Sequence, residues 1–153
     1  MAGRVITAPF YLVDIRHCHD RLICADFPDT IRRVGSRYYT TVIDCRDPAA
    51  LGRWWAKVLD WQVVYEADDE VVVARDDNTY PGLVFVPVPE PKTVKNRLHI
   101  DLAPDDRDAE VERIAGLGAT RIDIGQGDDK TWVVLADPEG NEFCVLRTRE
   151  GGV

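Results

Sequence analysis

Long apolar runs, paired cysteines and positive charge are all scarce in this sequence of 153 residues. No apolar run approaches the roughly 18 residues that a membrane-spanning helix needs. The four cysteines (Cys18, Cys24, Cys45 and Cys144) lack the paired spacing of a disulfide framework. Lys and Arg total 19 against 27 Asp and Glu, and the net charge of −8 repels phosphate backbones and anionic lipid. We therefore expect neither nucleic acid nor membrane as a partner.

The beginning of the chain lacks the layout of a secretory signal. Arg4 suits a basic first region, but Asp14, Arg16 and His17 interrupt the apolar segment, and no small-residue cleavage site follows. A cytoplasmic location is therefore expected.

Residues 1–37 differ in charge and pattern from the rest of the chain. Their net charge is +2 against −10 for the remainder, and they show no sustained period of 2 or 3.6. We interpret them as an N-terminal appendage to a domain at residues 38–149. Two interpretations stay open: a disordered segment, or a start assigned too far upstream, with Val34 encoded by a GTG start codon. The HCH motif at 17–19 does not have the spacing of a zinc site.

The remainder of the chain contains one order of elements, βαβββ, twice. In the first copy, YYTTVIDC (38–45) predicts a strand, and Asp47 and Pro48 predict the start of a helix. The helix has an apolar stripe that would pack on a sheet, formed by Leu51, Trp54, Trp55, Val58 and Leu59. Three predicted strands follow at 61–67, 70–75 and 82–88.

The second copy begins after a proline-rich linker at 87–96. RLHIDLA (97–103) predicts a strand, and Asp105 or Asp106 predicts the cap of a helix that Gly118 ends. Strands are predicted at 119–125, 131–137 and 141–147. The fold class is therefore α+β, with tandem units at 38–88 and 97–149.

Five segments in this order resemble the vicinal oxygen chelate superfamily, which contains glyoxalase I, extradiol dioxygenases and bleomycin-resistance proteins. They are IDCRDP (43–48), ALGRWW (50–55), VLDW (58–61), VPEPKTVKNRLHIDL (88–102) and ADPEGNEFCVL (136–146). The resemblance is closest to short actinobacterial-type glyoxalase-like domains. It implies that the two units form a curved mixed sheet around a small-molecule pocket, commonly in a homodimer. The family usually has glycine where this chain has Asp60, and aspartate tolerates the left-handed conformation expected there.

The resemblance implies a metal site of which this chain has only part of the ligand set. Chelating members place His or Gln on the first strand of each unit and Glu on the last strands, where they hold a divalent ion. His99 occupies one first-strand position and Thr40 the other, whereas Cys144 stands on the last strand in place of Glu. The last strand of the first unit offers Val84, Phe85 and Val86. Because one good donor of four remains, we expect no cofactor, and a divalent metal held by His99 is the less favoured alternative.

The expected ligand-binding residues are Thr40, Phe85, His99, Asp101, Trp132 and Cys144. The two aromatic side chains suit stacking on a flat organic ligand, although core packing is the more common role of any one Trp. His99 is the candidate catalytic residue, and it either contacts the ligand or bonds Asp101. Cys144 is interpreted as a small buried side chain in preference to a nucleophile paired with His99.

These residues favour a protein that binds a small organic molecule without the full metal-ligand set, as bleomycin-resistance relatives do. The alternative is an enzyme of the superfamily (a lyase, isomerase or dioxygenase) that is metal-dependent or uses His99 as acid or base. A third hypothesis is an interaction module. The fold alone does not choose among them.

Overall fold

The computed structural model of the chain describes residues 38–77, 79, 82–123 and 130–147. Residues 1–37, including the HCH motif, lie outside the described residues, as does the end of the strand predicted at 119–125. The bounds of the domain and both interpretations of the first 37 residues therefore stay predictions. Within the described ranges, no helix combines the length and apolar character needed to cross a membrane.

The described residues form two βαβββ units, which confirms the predicted α+β fold. The first unit contains β1 (Thr40–Cys45), α1 (Pro48–Leu59), β2 (Gln62–Glu66), β3 (Val71–Ala74) and β4 (Gly82–Pro87). The second contains β5 (Asp101–Leu102), α2 (Arg107–Gly116), β6 (Thr120–Arg121), β7 (Trp132–Ala136) and β8 (Glu142–Leu146). The strand predicted at 97–103 is shorter than expected, because only its last part pairs with β8.

Each unit forms its own four-stranded sheet, in the orders β1-β4-β3-β2 and β5-β8-β7-β6. In both sheets the first strand runs parallel to the last, and the other pairs are antiparallel. The first strand of each unit is therefore an edge strand.

The strand registers decide which side chains face the helices. Ile43 pairs with Phe85, and Phe85 with Val71, so these three share the face that packs against α1. Val42 pairs with Val84 on the opposite face, which we call the open face. Phe85 and Val71 are fully buried, whereas Val42 is 55% exposed.

Aromatic side chains of α1 join the two units. Trp54 and Trp55 are both buried, and their rings lie 6.0 and 5.1 Å from that of Phe143 on β8. The predicted packing of the apolar stripe of α1 on a sheet is therefore confirmed for both tryptophans. Arg113 of α2 also donates to the carbonyl of Val58 at 2.7 Å, near the end of α1. The sheets thus share one core although their hydrogen-bond ladders are separate.

Asp60 ends α1 in the left-handed conformation, with φ 53° and ψ 44°. Glycine adopts this conformation without steric cost, whereas other residues are strained in it. We expect Asp60→Gly to raise the free energy of unfolding by about 0.5 kcal/mol and Asp60→Val to lower it by about 1 kcal/mol. Urea unfolding of the three proteins checks this order, and a Val variant as stable as the Gly variant would contradict it.

Candidate functional site

A cavity of about 720 Å³ lies between β1 and the chain that leads into β5. Its walls are β1, the linker and segment 96–100, and the turn between β7 and β8. Apolar side chains at its mouth are exposed, with Val42 at 55% and Leu98 at 87%. Thr40, Asp44 and His99 add polar groups to the lining. A second hollow of about 360 Å³ on the other side of the β1 edge includes Asp101 in its lining.

The turn between β7 and β8 builds one wall of this cavity from a buried carboxylate. Asp137 is 4% exposed and accepts hydrogen bonds from Trp55 Nε1 (3.2 Å) and from Asn141 Nδ2 (2.9 Å). It also accepts from the backbone N–H groups of Glu139 and Asn141, both at 2.9 Å. Gly140 holds the turn with φ 89°, as the DPEGN motif predicts. Asp137 therefore connects the hairpin to α1.

Glu139 extends this connection to the start of α1. Its carboxylate accepts from the backbone N–H of Arg46 at 2.7 Å and of Asp47 at 2.8 Å. The burial of the neighbouring Cys45 thiol, with Glu139 and Asp137 close by, raises its pKa to about 12. Cys45 is therefore a neutral core side chain at neutral pH and no candidate for nucleophilic chemistry.

Glu142 fastens the linker wall of the cavity to β8. It accepts from Lys92 Nζ at 2.9 Å and from the backbone N–H of Asn96 at 3.0 Å, and both charged side chains are only 19% exposed. Burial alone would raise the pKa of Glu142, but the bonds from Asn96 and Lys92 outweigh burial and hold it below its ordinary value. The segment that precedes His99 is thereby held in place.

We expect Glu142→Gln to lower the free energy of unfolding at pH 7 by about 1 kcal/mol, because the amide loses the charge that Lys92 contacts. The pKa of Glu142 is lower in the folded state than in the unfolded state. The charged Glu142 therefore stabilises the fold above the unfolded pKa of about 4.3, and this stabilisation is lost as pH falls through the folded pKa. The difference between the two proteins should therefore shrink as pH falls below the unfolded value and vanish once Glu142 is protonated in the folded state as well. Urea unfolding at several pH values measures it. The exposed Glu90→Gln is the control, and an equal loss in that variant would contradict the assignment.

The structure brings three of the predicted residues together. Asp101 and Cys144 are register partners between β5 and β8, and His99 Nε2 lies 3.2 Å from Asp101 Oδ1. Imidazole, carboxylate and thiol atoms of the three all lie within 4.8 Å of one another. Burial and the neighbouring Asp101 raise the pKa of the Cys144 thiol, so the thiol is neutral at ordinary pH. This disfavours a nucleophilic role for Cys144.

The other predicted residues lie in different places. Thr40 lines the cavity, but its hydroxyl donates to the carbonyl of Gly82 at 2.8 Å. Phe85 lies in the core under α1, so its position does not fit the predicted contact with a ligand. Trp132 is half-buried on β7 with Lys130 Nζ 6.0 Å from its ring centre, and it borders neither hollow. The larger cavity is thus lined by neither of the two predicted aromatic side chains, and among the described residues its aromatic lining residues are Tyr38, Trp55 and Phe143.

Three residues important to this site were not among the predicted site residues: Asp137, Glu139 and Glu142. Strand alternation places Glu142 on the same face as Cys144, and the β7–β8 register agrees with this. For Asp137, a signal is the DPEGN motif itself, since an Asp before such a turn commonly bonds the backbone beyond it. Nothing in the sequence indicates the long-range partner of Glu139.

A family model of the glyoxalase-like domain matches residues 40–146. The chain belongs to the glyoxalase-like domain family. This confirms the resemblance at the level of that domain, and no curated protein matches the sequence.

Solved structures of this superfamily share the fold of the glyoxalase-like chain. A glyoxalase/bleomycin resistance protein/dioxygenase family enzyme from Burkholderia phytofirmans is 20% identical over 71% of this chain and 96% of its own, with a TM-score of 0.56. A bleomycin resistance determinant encoded on transposon Tn5 is 16% identical over 73% and 98% of the two chains, with a TM-score of 0.51. An antibiotic-binding protein from a Streptomyces species is 18% identical over 73% and 95%, with a TM-score of 0.54. At these identities the likeness shows the fold alone.

The four-donor metal set implied by the family does not fit this glyoxalase-like domain. At the positions of the first unit stand Thr40, whose hydroxyl bonds a backbone carbonyl, and the apolar Val84 and Val86. Neither apolar side chain has a donor atom for a metal ion, and a threonine hydroxyl is a weak one. Donors are concentrated instead on the second unit, at His99, Asp101 and Cys144.

Proposed function

We propose that this glyoxalase-like domain binds a small organic molecule in the cavity beside β1, without the four-donor metal site of chelating relatives. The observation that carries the proposal is the cavity itself. Its volume of about 720 Å³ falls in the range of roughly 300–1,000 Å³ that is usual for ligand sites. Its lining combines apolar side chains with polar and charged ones, and polar groups that converge beside apolar surface are typical of such sites.

The groups at the mouth indicate what kind of molecule fits. Val42 and Leu98 offer aliphatic surface from opposite walls, and the ring of Tyr38 is exposed beside them. Asp44 is an exposed acceptor in the lining, and His99 offers a ring N–H or a ring nitrogen. This combination favours an apolar molecule that carries hydrogen-bond donors.

The relatives of the same fold support sequestration as the form of binding. One is a bleomycin resistance determinant and another is an antibiotic-binding protein. A binder of this kind needs a matched pocket and no activated group, which agrees with the neutral Cys144 thiol.

Titration with Nile red, an uncharged fluorescent dye, tests for a binding site in the cavity. We expect saturable binding of one dye molecule per chain with a rise in emission, because the dye leaves water for apolar surface. Metal-free bleomycin, added as competitor, should displace the dye if the ligand resembles that antibiotic. Dye emission that rises linearly without saturation would contradict the proposal.

An enzyme is the second candidate, and the His99–Asp101 pair at 3.2 Å favours it. An acidic partner can orient a histidine that transfers protons, and His99 also lines the cavity. His99→Ala separates the two functions. For a binder we expect dye affinity to fall by only about threefold, whereas an enzyme would lose turnover of any substrate found.

Three narrower points belong to the same proposal: closeness to short actinobacterial-type relatives, a cytoplasmic location and a homodimer. The homodimer is supported by apolar side chains left exposed on β1 and β2, with Val42 at 55% and Tyr65 at 53%. A second copy that covered them would remove this area from water. Sedimentation equilibrium of the full chain measures the oligomeric state.

A further inference from the structure

Three side chains with metal-binding atoms converge beside β5 and β8 of the second sheet. Asp101 and Cys144 occupy paired positions of adjacent strands, so their side chains leave the sheet on the same face. His99 precedes Asp101 by two residues, and its Nε2 lies 3.2 Å from Asp101 Oδ1. All three ligand atoms lie within 4.8 Å of one another.

These separations suit one ion. In tetrahedral zinc sites the ligands lie about 2.0–2.3 Å from the metal, which places ligand atoms roughly 3.3–3.8 Å apart. His99 and Asp101 have side chains that are 50% and 48% exposed, so they can move the small distance that closure requires. Cys144, at 9% exposure, sits on the central pair of strands and supplies a fixed point.

The chemistry of the ligand atoms determines which divalent ion the site would prefer. The Cys144 thiol is neutral without metal, so binding of an ion would release its proton to solvent. The resulting thiolate and the imidazole favour borderline-soft ions such as Zn²⁺ and Co²⁺, whereas Mg²⁺ and Mn²⁺ prefer sites built from oxygen. The first unit adds no strong donor at the corresponding positions, where Thr40, Val84 and Val86 stand. A site with all its protein ligands on one unit therefore differs in both geometry and selectivity from the four-donor set that the family implies.

We propose that His99, Asp101 and Cys144 bind one zinc-like divalent ion, with the remaining coordination position open to solvent or a small ligand. All three ligands belong to the second unit, and although His99 also lines the cavity, the site does not require an organic ligand there. The absorption spectrum of bound cobalt therefore detects metal binding without any organic ligand. Either proposal can fail without the other.

Cobalt substitution tests the site in the full chain. Cys18 and Cys24 are first replaced by serine, because their thiols would otherwise compete for the ion, and a phosphine reductant keeps the remaining thiols reduced. Titration with Co²⁺ should give a near-ultraviolet thiolate-to-cobalt charge-transfer band that saturates at one ion per chain. Zn²⁺ should abolish the band by displacing cobalt, and Mn²⁺ in equal amount should not.

Matched variants identify the ligands. Cys144→Ser should remove the band, and His99→Ala and Asp101→Asn should each weaken cobalt binding by at least about tenfold. Cys45→Ala is the control that keeps the band, since that thiol is buried and contacts the carbonyl of Val86 at 3.6 Å. His99 is half-exposed, so its variant should fold even if Cys144→Ser does not.

Two results would overturn the proposal. One is a charge-transfer band that persists in the Cys144→Ser variant or is lost in Cys45→Ala. The other is the absence of a band, with no heat of Zn²⁺ binding, in the protein that retains Cys144 and Cys45. Displacement of cobalt by equal Mn²⁺ would overturn the assignment of the ion class.

Discussion

Replacing Asp137 with alanine is expected to lower the free energy of unfolding by about 4 kcal/mol. The carboxylate is 4% exposed and accepts four hydrogen bonds from Trp55, Glu139 and Asn141. Alanine would leave these donors without an acceptor, and the cost is greatest for Trp55 Nε1, because that side chain is only 2% exposed. The decrease in the free energy of unfolding is therefore greater than that caused by losing one exposed hydrogen bond.

Urea unfolding followed by tryptophan fluorescence measures this effect. The exposed Asp69→Ala is the matched control and should change stability by less than about 0.5 kcal/mol. Asp137→Asn should have an intermediate effect, since the amide keeps one acceptor oxygen but turns an N–H group toward the donors. A loss below about 1 kcal/mol in Asp137→Ala would show that the hairpin does not depend on this carboxylate.

Narrowing the cavity from both walls is expected to weaken binding of Nile red by about 100-fold, or 2.7 kcal/mol. The variant is Val42→Trp combined with Leu98→Trp. Both side chains line the cavity and are largely exposed, so the larger rings would occupy its mouth without disturbing the core. Dye titration by fluorescence, with calorimetry as a second measurement, gives the change in Kd.

A matched double variant controls for the added aromatic surface. Tyr65→Trp combined with Val94→Trp places two tryptophans at exposed positions that border neither hollow. We expect its dye affinity to equal that of the unmodified chain. Equal weakening in both double variants, or none in either, would place the dye outside the cavity and contradict the proposed function.

The element order could be predicted from the sequence because local signals carried it. Pro48 and the stripe of apolar residues predicted α1, which runs from Pro48 to Leu59, and the short strands were marked by β-branched runs. The left-handed turns at Asp60 and Gly140 followed from backbone sterics. These are interactions among residues close in the chain, so a single sequence contains them.

The site was predicted less well, because the face of a strand depends on distant partners. Phe85 alternates with Val84 and Val86, and the sequence alone does not tell which of them faces the helix. The structure buries Phe85 under α1. The structure places His99 Nε2 3.2 Å from Asp101 Oδ1 and the His99 side chain in the lining of the cavity, and its predicted contact with a ligand stays a prediction.

By itself, the sequence determined the repeated βαβββ pattern, the acidic charge and the loss of the family's metal donors from the first unit. The first two depend only on residue identity and local spacing, and the third also depends on the resemblance to the family. The tertiary structure decided that Asp101 and Cys144 stand side by side, and that Asp137 reaches Trp55 on a helix 82 positions away. Strand register and helix packing bring such residues together, and both arise from contacts between segments that are far apart in the chain.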